Sequence, residues 1–425
     1  MIRRANQDFI IKGDICWSVN ETEVRALSDH YLICSGSICR GVFSSVPEKY
    51  AHIPVTDYSG CLVIPGLTDL HAHAPQYSFR ALGMDRELLD WLDTYAFPEE
   101  AKYRDADYAA KAYGIFAQEL RRSATTRICL FSTIHRGATL YLMELIEKSG
   151  VAGYVGKVCM NRNAPEELCE KASAEETRLW IEACEGRFER VKPIITPRFV
   201  PSCTDELLKE LADLAERYDL PVQSHLSENP SELKWVKELC PWSSYYGQVY
   251  ERFRLFGGSR PTVMAHCIYS PEEEIRAMKE QGVFIAHCPQ SNMNLASGIA
   301  PVRSYLSEGM RVGLGSDVAG GAHLSIFRAM TDAIQVSKLY CRLTDAAAGP
   351  LTVAEAFYLG TAGGGSFFGK VGRFEDGYEA DAVVIDDSRL KHPQPLTLME
   401  RLERVIYLSD DRDIRAKYVM GRKVL

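Results

Sequence analysis

The groups in this chain able to do chemistry are carried by His71-Ala72-His73, His225, His266 and Ser316-Asp317. Imidazole nitrogens and a carboxylate are the donors a borderline divalent ion takes, with Zn–N distances of about 2.0–2.1 Å. In a strand, residues i and i+2 face the same way, so His71 and His73 project to one side and can hold one ion. Each segment follows a short apolar or β-branched run, such as Val63-Ile64, Val263-Met264-Ala265 and Val312-Gly313-Leu314. Ligands this far apart in sequence meet only if several strand ends share one rim, and the chemistry this predicts is metal-dependent hydrolysis. His266 is placed either to ligate the ion or to hydrogen-bond the nucleophilic water. Glu228, three residues past His225, reads as a proton shuttle of general acid/base catalysis or as a solvated or capping carboxylate.

Such a rim needs parallel strands, and the text supplies them. Between residues 65 and 364 apolar runs alternate with amphipathic segments, the pattern of β/α units. Eight strands are predicted, over 62–73, 126–133, 153–160, 192–199, 221–226, 262–267, 283–288 and 311–317, which is the count of a (β/α)8 TIM-like barrel. Leu207, Leu208, Leu211, Leu214, Ala215 and Tyr218 follow Thr204 at helical spacing, and Ser270-Pro271-Glu272-Glu273 predicts a capped helix start that Gly282 closes. Residues 1–64 and 365–425 are β-type text, with Phe9-Ile10-Ile11, Tyr31 to Cys34, Ile38 to Phe43, Ala382 to Ile385 and Tyr418 to Met420 as strands. The two ends are expected to pair as one small composite β-sandwich domain beside the 65–364 barrel. Binuclear barrels of this type carry a bridging lysine at the end of strand four. Here that strand ends Thr196-Pro197-Arg198-Phe199, and its Lys192 lies near the opposite end, so one ion is expected.

Composition removes other classes. With 46% hydrophobic and 25% charged residues in 425, the chain can bury a large core. A formal charge of -8, spread along the chain, offers no basic surface for nucleic acid and no polybasic membrane anchor, and favours a neutral or cationic small substrate. The first eight residues lack the apolar stretch of a signal peptide, and no run approaches the ~20 apolar residues of a membrane span. A cytoplasmic location is therefore expected. Thirteen scattered cysteines without a C-x-x-C pair indicate reduced thiols, neither a disulfide framework nor a thiolate metal site.

Longer strings sharpen the reading. Pro65-Gly66-Leu67-Thr68-Asp69-Leu70-His71-Ala72-His73, Ser224-His225, His287-Cys288-Pro289-Gln290-Ser291-Asn292, Gly315-Ser316-Asp317 and Gly377-Tyr378-Glu379-Ala380-Asp381-Ala382 resemble the amidohydrolase superfamily. His73-Ala74-Pro75-Gln76-Tyr77-Ser78-Phe79, Val158-Cys159-Met160, Val191 to Phe199, His225-Leu226-Ser227-Glu228-Asn229 and Asp317-Val318-Ala319-Gly320-Gly321 resemble its guanine deaminase branch. The likeness spans nearly the whole chain and is weakest in the first 60 residues. Pro75 and Ser316 depart from commoner residues without removing a functional group. The resemblance implies one Zn2+ per chain, with Fe2+ as the alternative ion, held by His71, His73, His225 and Asp317, with His266 beside it. It also implies a substrate pocket of Gln76, Arg198, Phe199 and Glu228, and a homodimer. The implied reaction is hydrolytic deamination of guanine to xanthine and ammonia, with a metal-activated hydroxide adding at C2, Asp317 and His266 orienting and deprotonating the water, and Glu228 moving the proton. A related deaminase of 8-oxoguanine, cytosine or a triazine would keep the ligands and change Gln76, Arg198 and Phe199; a metal-free scaffold relative would have lost a ligand or Glu228. His135 is expected at the pocket or its rim, and His287 as a support for strand seven. His30, His52, His323 and His392 read as surface or loop residues.

Overall fold

The computed structural model describes residues 8–344 and 349–425, so residues 1–7 of the N-terminal stretch read above for a targeting signal lie outside the described residues. Both chain ends contribute to one seven-stranded sheet. Its strands are β1 (Phe9–Ser18), β2 (Val24–Ser35), β3 (Ile38–Phe43), β4 (Val55–Pro65), and, from the far end, β15 (Ala382–Ile385), β16 (Ile414–Val419) and β17 (Arg422–Lys423), in the order β17-β16-β15-β4-β1-β2-β3. Phe9, Ile11, Ile15 and Trp17 of β1 meet Phe374, Val384 and Tyr418 in one apolar cluster. Ile10 faces a second cluster with Ile33 and Ile53, as period-two alternation requires. β16 stops at Val419, one residue short of the expected run, because Met420 (φ 48°) and Gly421 (φ 72°) turn the chain back into β17.

The middle of the chain holds β5 (Leu67–His73), β6 (Thr125–Phe131), β7 (Ala152–Gly156), β8 (Val158–Cys159), β9 (Val191–Pro193), β10 (Thr196–Pro197), β11 (Val222–Leu226), β12 (Thr262–His266), β13 (Phe284–His287) and β14 (Arg311–Leu314). They form two four-stranded parallel sheets, β5-β6-β7-β9 and β11-β12-β13-β14, and a short parallel pair, β8-β10. A parallel bridge between Ile195 and Val222 links one sheet toward the other. At the far edges, Asp317 N–H donates to His71 O at 2.8 Å and His73 N–H to Val318 O at 2.9 Å. Helices on alternate segments cover these strands. Among the described residues no helix is long and apolar enough to cross a membrane. Among the described residues no disulfide is formed.

Several expected elements are corrected. The run 62–73 is two strands in two sheets, divided at Gly66, where a Cβ would stand 2.0 Å from Thr126 Oγ1. The runs 153–160 and 192–199 each break; in the second, Pro193 and Pro197 have no N–H for the ladder. β14 ends at Leu314, so Asp317 stands three residues beyond its strand. Thr204 caps the helix Asp205–Arg217 as expected, its side chain accepting from Leu207 N–H. Ser270 caps nothing: Pro271 itself is the cap position of the helix Glu272–Gln281, which leaves Ser270 one residue outside. Gly282 (φ 67°) closes that helix.

Buried charge ties the terminal sheet to the parallel strands. Arg127 on β6 donates from Nε and Nη2 to Asp381 at 2.6 and 3.0 Å and from Nη2 to Glu379 at 2.7 Å. The Asp381 side chain is 0% exposed and also accepts Met420 N–H. The string Glu379-Ala380-Asp381 is thus a clamp. Removing one partner of such a pair leaves the other charge buried, so Asp381→Ala should cost about 3–5 kcal/mol in urea denaturation. A loss below about 1 kcal/mol, the range of exposed pairs, would refute the clamp.

Candidate metal centre and pocket

The site begins with an irregularity in β5. Its pairing with β6 runs from Asp69 opposite Ile128 to Ala72 opposite Leu130, three steps against two. The extra residue is a β-bulge, which re-aims side chains. Leu70 joins Cys129, Ile194 and Phe284 in an interior cluster, while His71 and His73 stand near-perpendicular with ring centroids 4.9 Å apart. Buried Asp69 anchors the bulge, accepting His71 N–H at 3.2 Å, Ser316 N–H at 3.0 Å and Ser316 Oγ–H at 2.5 Å. Several of the other strand ends and the loops that leave them hold residues in the left-handed region: Ser227 (φ 49°), His266 (φ 75°), Cys267 (φ 49°) and Asp317 (φ 44°). For residues other than glycine this costs about 1–3 kcal/mol each, a strain typical of functional sites.

The structure brings all five expected metal-site residues together. His73 Nε2 lies 3.2 Å from His225 Nε2, and Asp317 Oδ1 lies 3.2 Å from His71 Nε2 and 3.5 Å from His73 Nε2. Donor atoms of His71, His73 and His225 fall within 4.8 Å of one another, as do those of His71, His266 and Asp317. Burial, and next the neighbouring His71, hold His73 and His225 well below the ordinary histidine range, so both rings are neutral. His71 Nε2 is buried and makes no hydrogen bond despite its approach to Asp317. His225 Nδ1 meets Arg198 O at 2.5 Å, which puts the proton on Nδ1 and the lone pair on Nε2. Converging imidazole lone pairs beside a carboxylate fit a divalent cation, and the donor set suits zinc.

A second tier of buried acids and amides surrounds these donors. His266 Nδ1 meets Asn292 Oδ1 at 2.9 Å, leaving Nε2 toward Glu228 Oε2 (3.4 Å) and Asp317 Oδ2 (3.7 Å). Glu228 accepts Ser297 Oγ–H at 3.2 Å; burial, and then the Asp317 charge, push its carboxyl up to about 8. Glu232 accepts the Glu228 N–H at 2.9 Å and the Tyr246 hydroxyl at 3.0 Å. Gln76, Arg198, Phe199, Glu228 and Glu232 line one pocket with Leu88, Trp91, His73, His225, His266 and Asp317. Arg198 is only 3% exposed and donates to Glu100, as does Gln76.

Some of this was not anticipated. Glu232 belongs to a capping box opened by Asn229, and Asn292 lies in the quoted His287 string, so each had a local signal that did not name its task. Glu100, in Pro98-Glu99-Glu100, reads as an ordinary helix-start acid. His135 precedes the helix Arg136–Ser149, four residues past β6, and of its two readings, pocket or rim, the pocket lining is set aside. His287 is buried, and burial, with His266 as the second cause, holds its ring down to about 3. His323, His52 and His392 are exposed and His30 is half-buried.

Comparison with known proteins places this geometry. The chain matches the amidohydrolase family over residues 62–424. It is similar to the guanine deaminase of Dictyostelium discoideum, with 39% identity across 87% of this chain and 84% of that one. The guanine deaminase of Rattus norvegicus is 37% identical across 100% of this chain and 98% of its own. A solved guanine deaminase from C. acetobutylicum, with guanine bound in its active site, superposes with a TM-score of 0.96 at 46% identity, covering 99% of this chain and 100% of the other.

Because His225 spends Nδ1 on the backbone and offers only Nε2, replacing it removes a donor without disturbing the others. Elemental analysis of His225→Ala should show loss of most of the divalent metal that the wild-type chain carries. Full retention would remove His225 from the ligand set.

Proposed function

The chain belongs to the amidohydrolase family, and from that premise we propose that it hydrolyses guanine to xanthine and ammonia with a single metal ion. The observation that carries this reading is the meeting, in one pocket, of His73, His225, His266 and Asp317, whose donor atoms cluster with those of His71, and of Gln76, Arg198, Phe199 and Glu228. The guanine-bound relative supports it. His71, His73, His225 and Asp317 would hold one zinc per chain; Fe2+ accepts the same donors. Bound there, the ion supplies Lewis acidity and lowers the pKa of a coordinated water toward ~7.

The side chains do the rest. Arg198 presents donors to the O6/N7 edge of the base, a match of guanidinium to two acceptors. Adenine keeps N7 but carries an amino group at C6, so the donor that meets O6 would be left unpaired, and a buried donor left unpaired discriminates by roughly 10⁴ or more. Gln76 bonds the base edge and Phe199 covers its face. Asp317 and His266 stand where the attacking water must give up its proton. Glu228, 3.4 Å from His266 Nε2, delivers a proton to ring N3, which makes C2 electrophilic; water oxygen bonds to C2, and the 2-amino group leaves with a proton as ammonia.

The fold fits the same reading. We infer that the two parallel sheets, with the Ile195–Val222 bridge and the Asp317–His71 seam, are the wall of a (β/α)8 barrel over residues 65–364, and that residues 1–64 and 365–425 form one composite β domain. A cytoplasmic homodimer acting on the free purine base completes the proposal.

Ammonia release from guanine, measured with metal content, tests the assignment. Glu228→Gln should keep its metal and lose about 10²–10⁴ in turnover; near-normal turnover would end the shuttle role, and a metal-loaded wild type inactive on guanine would end the substrate assignment. The pH profile gives a second check. Glu228 acts from its protonated form, so kcat/KM should fall as pH rises through about 8, and a bound cation can only draw that limb lower. Activity that is flat from pH 7 to well above about 8 would contradict it.

A further inference from the structure

The pocket's two base-reading side chains come from different parts of the chain, Gln76 from the turn after β5 and Arg198 from the segment after β10. One carboxylate joins them. Glu100 Oε1 accepts Gln76 Nε2–H at 2.8 Å and Oε2 accepts Arg198 Nη1–H at 2.5 Å. The Glu100 side chain is 1% exposed and does not line the pocket, so it reaches substrate only through these two neighbours.

An ion pair that merely docks the helix Phe97–Ala101 is the simpler explanation, and the contacts argue against it. That segment is already docked by buried Phe97 and by Tyr103, whose hydroxyl donates to Pro75 O at 2.9 Å. Buried ion pairs are often no more stable than apolar residues of the same volume, so a buried charge in an already anchored helix calls for another role. Neighbouring Glu99 turns away, to Lys102 and Tyr108, so the adjacent acids have separate partners. Glu100 takes only one arm of the guanidinium; among the described residues no protein acceptor bonds Arg198 Nε or Nη2. The Arg198 guanidinium also lies over the Phe97 ring, 5.0 Å from its centroid, which fixes its plane. Gln76 is held at both ends of its amide, since Oε1 accepts Ala319 N–H at 3.4 Å.

We propose that Glu100 is the positioning residue for base recognition, its two oxygens holding Arg198 and Gln76 in the orientations that meet the substrate's edge. This rests on the guanine reading above. Reactants held in register gain rate through lost freedom already spent, so a reader released to rotate weakens binding of the group it reads.

The test uses metal-loaded wild type, Glu100→Ala and Glu100→Gln, with guanine as substrate and 2-aminopurine, which lacks the 6-oxo group, as competitive inhibitor. In Glu100→Ala the guanine KM should rise about ten-fold or more with kcat changed far less, while the 2-aminopurine Ki moves by less than about three-fold. Glu100→Gln, isosteric but with one acceptor oxygen for two donors, should shift guanine KM in the same direction by a smaller factor, and it decides the matter if the alanine variant fails to fold. Unaltered guanine KM in the variants, or guanine and 2-aminopurine weakened alike, overturns the proposal while leaving the function intact. A wild type inactive on guanine overturns both.

Discussion

The seam between β5 and the segment after β14 is the constraint on which the site depends. Asp69 accepts from Ser316 N–H and Oγ–H, Asp317 N–H donates to His71 O, and His73 N–H donates to Val318 O. These bonds join the edges of two parallel sheets, and they also set the carboxylate of Asp317 3.2 Å from His71 Nε2. Gly315 allows the approach, since a Cβ there would stand 2.8 Å from Cys288 Sγ and 2.9 Å from His71 Cβ. Joining these two sheet edges and assembling the donor set are one event.

Gathering imidazoles with the acidic side chains of Asp317, Glu228 and Glu232 in a buried space carries an electrostatic cost. The chain meets part of it with fixed partners: a carbonyl for His225, an amide for His266, a hydroxyl for Glu228, and two backbone N–H groups and a phenol for Glu232. Each partner also selects a tautomer or an orientation. What stays unpaired, His71 Nε2 foremost, is the part of the site that a cation completes. The left-handed residues at Ser227, His266 and Asp317 belong to the same economy, strain tolerated because the surrounding bonds over-determine it.

Arg198 links the metal donors to the pocket. Its carbonyl orients His225 and its guanidinium lines the space where a base would lie. A shift of this residue would move the His225 imidazole and the pocket wall together. Its own fixation by Glu100 and the Phe97 ring therefore bears on both halves of the site.

The ligand candidates were legible in the sequence because strand periodicity and H-x-H spacing are local properties, and His71, His73, His225, His266 and Asp317 each carry their context within a few residues. The helix opened by Thr204 and the Gly282 stop were legible for the same reason. Ser270 misled because Pro271 takes the cap position itself, and the run 62–73 misled because apolar text does not record a change of sheet at Gly66. Glu100, Asn292 and Ser297 had no readable role: each acts through a partner 24 to 98 residues away, as Gln76, Arg198, His266 and Glu228 show. By itself the sequence determined the donor types, the strand placement of the histidine donors and the family resemblance, since these depend on residue identity and short-range spacing. Only the tertiary structure decided which acid holds which side chain, because hydrogen bonds and burial between distant segments exist only once the chain has closed on itself.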